Sequence, residues 1–84
     1  MPTVATVAGC AIRFYFEDHE PAHFHVIASD GGEAVVRVSD LSVMEGMLAP
    51  AQRRAVLGWA VERQDALALV WLRCREGVNP GRIN

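Results

Sequence analysis

Three stretches in the first half of the chain alternate apolar and polar residues one for one, and this period of two is what most restricts the fold. In AIRFYFE (11–17), Ile12, Phe14 and Phe16 share one side, and Arg13, Tyr15 and Glu17 share the other. HFHVIAS (23–29) sets Phe24, Val26 and Ala28 against His23, His25 and Ile27. EAVVRVS (33–39) sets Ala34, Val36 and Val38 against Val35, Arg37 and Ser39. Each stretch reads as a half-buried strand. TVATV (3–7), before the break at Gly9, and DLSVMEG (40–46) offer two further short strands.

Keeping the apolar faces together requires cross-strand partners of the same parity. A five-residue loop, Asp18–Ala22, meets that condition. It pairs Glu17 with His23, Tyr15 with His25 and Arg13 with Ile27. Pro21 suits a loop and would not suit a central strand. For the next connection, a two-residue loop would mix the faces. A three-residue loop over DGG (30–32), with a left-handed glycine and a bulge, keeps them apart and pairs His25 with Arg37.

After Pro50 the period changes to that of a helix. Proline fits a first helical turn, and Gly77 followed by Pro80 ends the element. Val56, Trp59, Ala60, Leu67, Val70, Trp71 and Cys74 form one apolar stripe, suited to covering the sheet. Leu57, Val61, Ala68 and Leu72 form a second. A helix on a single sheet needs only one, so the second is expected to meet another chain, with the N-terminal strand or C-terminal tail as the alternative cover. Arg63 falls inside the first stripe, where an arginine snorkels to the edge or pairs with a buried acid; binding a ligand under the helix is the alternative. The expected fold is therefore α+β: an antiparallel meander of three to five strands packed by one long C-terminal helix. One domain spans residues 1–84, with the sheet over about 3–46, the helix over about 50–76 and a tail over 77–84.

With 84 residues, of which 51% are hydrophobic, the chain has material for one small core. Its net charge of −2 argues against general nucleic-acid binding, although all eight cations are arginines, which favour bidentate pairing with carboxylate or phosphate. Cys10 and Cys74 fit no metal spacing and are expected to be reduced, buried thiols. The start, MPTVATVAGC, lacks the basic and apolar regions of a leader, and no apolar run approaches a membrane span. A cytoplasmic protein without membrane or lipid partners is expected.

All three histidines lie in DHEPAHFHV (18–26). This element, with the MPT start, IRFYFEDHEPAHFHV, GGEAVVRVSDLSVMEGML, RAVLGWAVERQDAL followed by Trp71, and NPGRI near the end, resembles the bacterial family called domain of unknown function 4160. The likeness extends over nearly the whole chain. It implies a small protein often encoded beside another short one, sometimes in a toxin–antitoxin-like arrangement, and it supplies no established activity. Arg63 stands where that family commonly has histidine, Ala66, Leu69 and Val70 where it has polar residues, and Ile27 where it has an acid.

The expected registers gather Arg13, Tyr15, Glu17, His23, His25 and Arg37 on one sheet face, with Asp18, His19 and Glu20 at its end. Cross-strand pairing on a solvated face accounts for such a pattern without any chemistry. A divalent metal ion held by His19, His23 and His25, completed by Glu17 or Asp18, accounts for the histidines. Acid–base chemistry on RNA accounts for the mixture of His25, Arg37, Tyr15 and Arg13. The expected function is a non-enzymatic interaction or regulatory protein, one half of a toxin–antitoxin-like pair. It would work as a homo-oligomer or with the product of a neighbouring gene. An RNA-cleaving toxin and a metal-binding module are the alternatives.

Overall fold

The computed structural model describes residues 2–16 and 18–83. Five strands, β1 (Thr3–Val7), β2 (Cys10–Arg13), β3 (His23–Ala28), β4 (Glu33–Arg37) and β5 (Val43–Met47), precede two helices, α1 (Pro50–Val61) and α2 (Gln64–Arg75). Each strand pairs antiparallel with the next, in the order β1-β2-β3-β4-β5. The class is α+β, and the sheet is the expected meander.

Parity decides what is buried. Ile12, Phe14, Phe24, Val26, Ala28, Ala34, Val36 and Val38 are all in the core, as are Val56, Ala60, Leu67, Val70, Trp71 and Cys74 from the helices. Cys10 and Cys74 are buried free thiols. Phe16, expected in the core, is 37% exposed. β2 stops at Arg13, and the alternation beyond it belongs to a loop.

The single long helix is two. An unbroken helix over residues 50–75 would run to about 39 Å at roughly 1.5 Å per residue, whereas the longest dimension of the molecule is 33 Å. The chain turns at Glu62 and Arg63 instead, and Arg63 has φ −133°. Its N–H still reaches the Ala60 carbonyl at 2.9 Å, and its own carbonyl accepts from Leu67 N–H at 2.9 Å. The Arg63 guanidinium donates to the Trp59 carbonyl at 2.9 Å and lies 5.2 Å from the Trp59 ring centre. It thus closes the end of α1. Gln64 Nε2 donates to the carbonyls of Val38 (2.9 Å) and Ser39 (3.2 Å), which anchors the start of α2 to the end of β4.

Both central registers differ from expectation by two residues. Arg13 and not Tyr15 faces His25, and His25 faces Val35 while Arg37 faces His23. Parity survives, because a two-residue slip keeps every side chain on its face. Phe14 N–H bonds to the Pro2 carbonyl at 3.1 Å, and this contact, together with the end of β2 at Arg13, lengthens the loop before β3. The expected pairing of Glu17 with His23 lies outside the described residues. The β3–β4 turn has the expected three residues, but they are Ser29–Gly31, one position earlier. Ala28 N–H bonds to the Gly32 carbonyl at 2.7 Å, and Gly31 takes φ +94°.

Gly46 is the position where only glycine fits. It has φ +78°, and a Cβ there would overlap the Glu33 carbonyl oxygen of β4. Gly58, inside α1, has open space around it. Gly46→Ala is expected to cost at least about 2 kcal/mol, whereas Gly58→Ala is expected to gain about 0.5–1 kcal/mol. Urea denaturation of the two variants measures both, and equal effects would contradict the β4–β5 contact.

Candidate metal centre

β3 begins with His23 and carries His25 two residues on. Asp18 comes from the preceding loop. Its Oδ2 lies 2.8 Å from His25 Nε2 and 2.9 Å from His23 Nε2, so one carboxylate oxygen meets two imidazoles. On the far side of its ring, His23 Nδ1 is 2.7 Å from the Pro21 carbonyl. Neither Asp18 nor His25 is wide open: their side chains are 16% and 17% exposed.

His23 does not lie on a solvated face away from the helices, as the alternation suggested. It is 2% exposed, and its ring centre is 5.0 Å from that of Trp71 in α2. The reason is its place at the end of the sheet. There the loop from Asp18 to Ala22 closes against α2, helped by an ion pair from Arg75 Nη1 to Glu20 Oε1 at 3.0 Å. Arg75 also lies 5.8 Å from the Trp71 ring centre.

The two nitrogens of His23 set a condition. Both face oxygen acceptors, at 2.7 and 2.9 Å, and a neutral imidazole has one N–H to give. With Nδ1–H on the Pro21 carbonyl, Nε2 either carries a second proton shared with Asp18 or presents its lone pair to a cation. A backbone carbonyl on the remote nitrogen is also the usual support of a metal-bound histidine. Burial alone would raise the Asp18 carboxyl. The hydrogen bond from His25, the attraction of His23 and His25 and the hydrogen bond from His23 outweigh it and hold Asp18 below its ordinary 3.8.

The other candidates go elsewhere. His19 is exposed, with Nδ1 at 3.0 Å from the Glu20 carbonyl and its ring centre 5.6 Å from that of His23. Tyr15 sets its ring edge-on to His25, 4.3 Å between centres. Arg13 Nε donates to Thr3 Oγ1 at 3.1 Å, and Arg37 pairs with Asp40 at 3.3 Å. Burial pushes both thiols up, Cys10 with a further contribution from Asp30, which suits inert core residues. Asp18, His23 and His25 form the one group among the described residues whose ligand atoms gather within 4.8 Å. Asp18 stood only as an optional completion of the histidine set in the sequence. The signal that marks it is an acid just before a proline-containing loop that returns to paired histidines.

Of the second helical strip, which the turn at Arg63 divides, Val61 at the end of α1 and Leu72 in α2 are 57% and 58% exposed, and Leu69 of α2 is 47% exposed. Leu57 and Ala68 are partly covered by the chain's own core.

The family model described as domain of unknown function (DUF4160) matches residues 9–72. No curated protein and no solved structure matches the chain. The matched segment contains the whole Asp18–His23–His25 group.

Stability should follow Asp18. Its carboxyl is lowered in the folded chain, so its contribution is complete above about pH 3.8 and is lost as pH falls through the lower folded value. Asp18→Asn should remove that acid dependence, as read from urea midpoints across the acid range. His23→Ala should cost about 2–4 kcal/mol, since it opens space under Trp71 and leaves Asp18 one partner fewer. His25→Ala should cost about 1 kcal/mol.

Proposed function

The chain belongs to the DUF4160 family, and we propose that it is a small regulatory module that binds one divalent transition-metal ion through Asp18, His23 and His25. One observation carries the reading: two Nε2 atoms converge on a single carboxylate oxygen, while the remote nitrogen of the buried histidine is already held by a backbone carbonyl. Two imidazoles and one carboxylate suit zinc, nickel, cobalt or iron(II) and not the harder calcium or magnesium. An ion there would tie the loop to β3, and through His23 and Trp71 to α2. Metal occupancy would then set how firmly this end of the sheet is closed.

Acid–base action on RNA has less support. An Asp–His pair can serve a general base, but a phosphate also needs a clamp, and Arg13 and Arg37 are bonded to Thr3 and Asp40. Side chains 2–17% exposed admit an ion more readily than a polynucleotide.

The partner expected of such a module has support in Val61, Leu69 and Leu72, which stay exposed on the helices. We propose that these side chains meet a second copy or the product of a neighbouring gene.

Two measurements test these readings. Protein purified without a histidine tag should bind about one zinc or nickel ion per chain by calorimetry, and Asp18→Ala and His25→Ala should abolish it. At a hundredfold excess over Kd the ion should add about 2.7 kcal/mol of stability. Affinity should fall as pH is lowered, because protons compete for the same nitrogens. Unchanged stability at saturating metal would overturn the proposal. Leu72→Glu should leave the fold intact and abolish association, followed by light scattering of the chain alone and with the neighbouring gene product.

A further inference from the structure

We infer that His19 is the fourth ligand of this centre and converts it from an open site into a closed, structural one; the inference rests on the metal reading above. His19 adjoins Asp18 in the chain, and its ring centre is 5.6 Å from that of His23. Its Nδ1 faces the Glu20 carbonyl at 3.0 Å. With the proton on Nδ1, Nε2 is left with a free lone pair, the same tautomer that the Pro21 carbonyl imposes on His23 when His23 binds an ion. Two of the three imidazoles are thus held by backbone carbonyls of one short loop, each with Nε2 as the available donor.

The Asp18, His23 and His25 atoms need little change. Ligands of a tetrahedral zinc-sized ion, at about 2.0–2.1 Å from it, stand roughly 3.3 Å apart. Asp18 Oδ2 is now 2.8 and 2.9 Å from its two partners, so the group widens by about half an ångström while the exposed His19 ring swings inward. His19 is free to do this because it has no packing in the core, in contrast to His23. Three imidazoles and one carboxylate complete a tetrahedron and leave no position for substrate, the mark of a structural site. The trio alone would keep at least one open position, the mark of a catalytic one. The role of His19 therefore decides which kind of centre this is.

Cobalt(II) is the probe, because its visible absorption is intense when tetrahedral and weak at higher coordination. Wild-type protein should give the intense spectrum. His19→Ala should still bind cobalt, with affinity reduced at least about tenfold and the bands shifted as water takes the fourth position. His19→Cys should add a thiolate-to-cobalt charge-transfer band in the near ultraviolet. The wild type should lack that band, since Cys10 and Cys74 are buried away from solvent. Cobalt affinity and spectrum both unchanged in His19→Ala, or no charge-transfer band in a folded, cobalt-binding His19→Cys, would overturn the inference and leave the metal reading standing. No cobalt bound by the wild type would overturn both.

Discussion

Burial of one sheet face under one helical stripe is the constraint from which the rest of the structure follows. A sheet with helices on a single side has one core, and each strand must offer every second residue to it. Val4, Ile12, Phe24, Val26 and Val36 do so from the sheet, and Val56, Leu67, Val70 and Trp71 from the helices. The stripe must also fit the molecule's 33 Å length. Two helices of 12 residues, each about 18 Å long at roughly 1.5 Å per residue, fit; one helix of their combined length would overhang. The turn at Arg63 is the result, and the Arg63 guanidinium supplies the donor that the end of α1 needs.

The site is a by-product of where that core ends. β3 enters the sheet at His23, at the margin of the covered area, so a polar ring lies under Trp71 instead of facing solvent. A buried imidazole requires partners for both nitrogens. The preceding loop provides them, with the Pro21 carbonyl on one side and Asp18 on the other. Glu20 and Arg75 hold the same loop to α2 from outside. Stability and the proposed metal affinity would therefore draw on the same few groups. On that reading a change at His23 affects both, whereas a change at His25 or His19 bears mainly on binding.

Much of this was legible in the chain. Alternation gave the core-facing residues of β2, β3 and β4 correctly but failed at Phe16, beyond the end of β2, and at His23, and the helical period marked the residues that cover the sheet, with Trp59 only half buried. Alternation is silent about slips of two, which is why Arg13 and not Tyr15 stands opposite His25. Nothing local marks the helix break, because Glu62, Arg63, Gln64 and Asp65 contain no glycine or proline. The histidine cluster was visible, but its composition was not. Whether Asp18 or His19 turns inward depends on how the loop closes against α2, a contact between residues 20 and 75 that no local pattern encodes.

The two edges of the sheet differ in kind. At β1 the chain's own tail intervenes, where Ile83 N–H bonds to the Val4 carbonyl at 2.7 Å. At β5 no described strand pairs with the outer edge, and such an edge invites pairing with another molecule. The glycine conformation at Gly46 lets β5 pass close to Glu33, the pairing with β4 shifts between Glu45 and Val43, and Glu45 is exposed. A second copy adding here about Glu45 would bring two carboxylates face to face. An acid on the open edge thus makes β5 a poor template for a second copy of itself, the device by which exposed edges resist growing chain by chain.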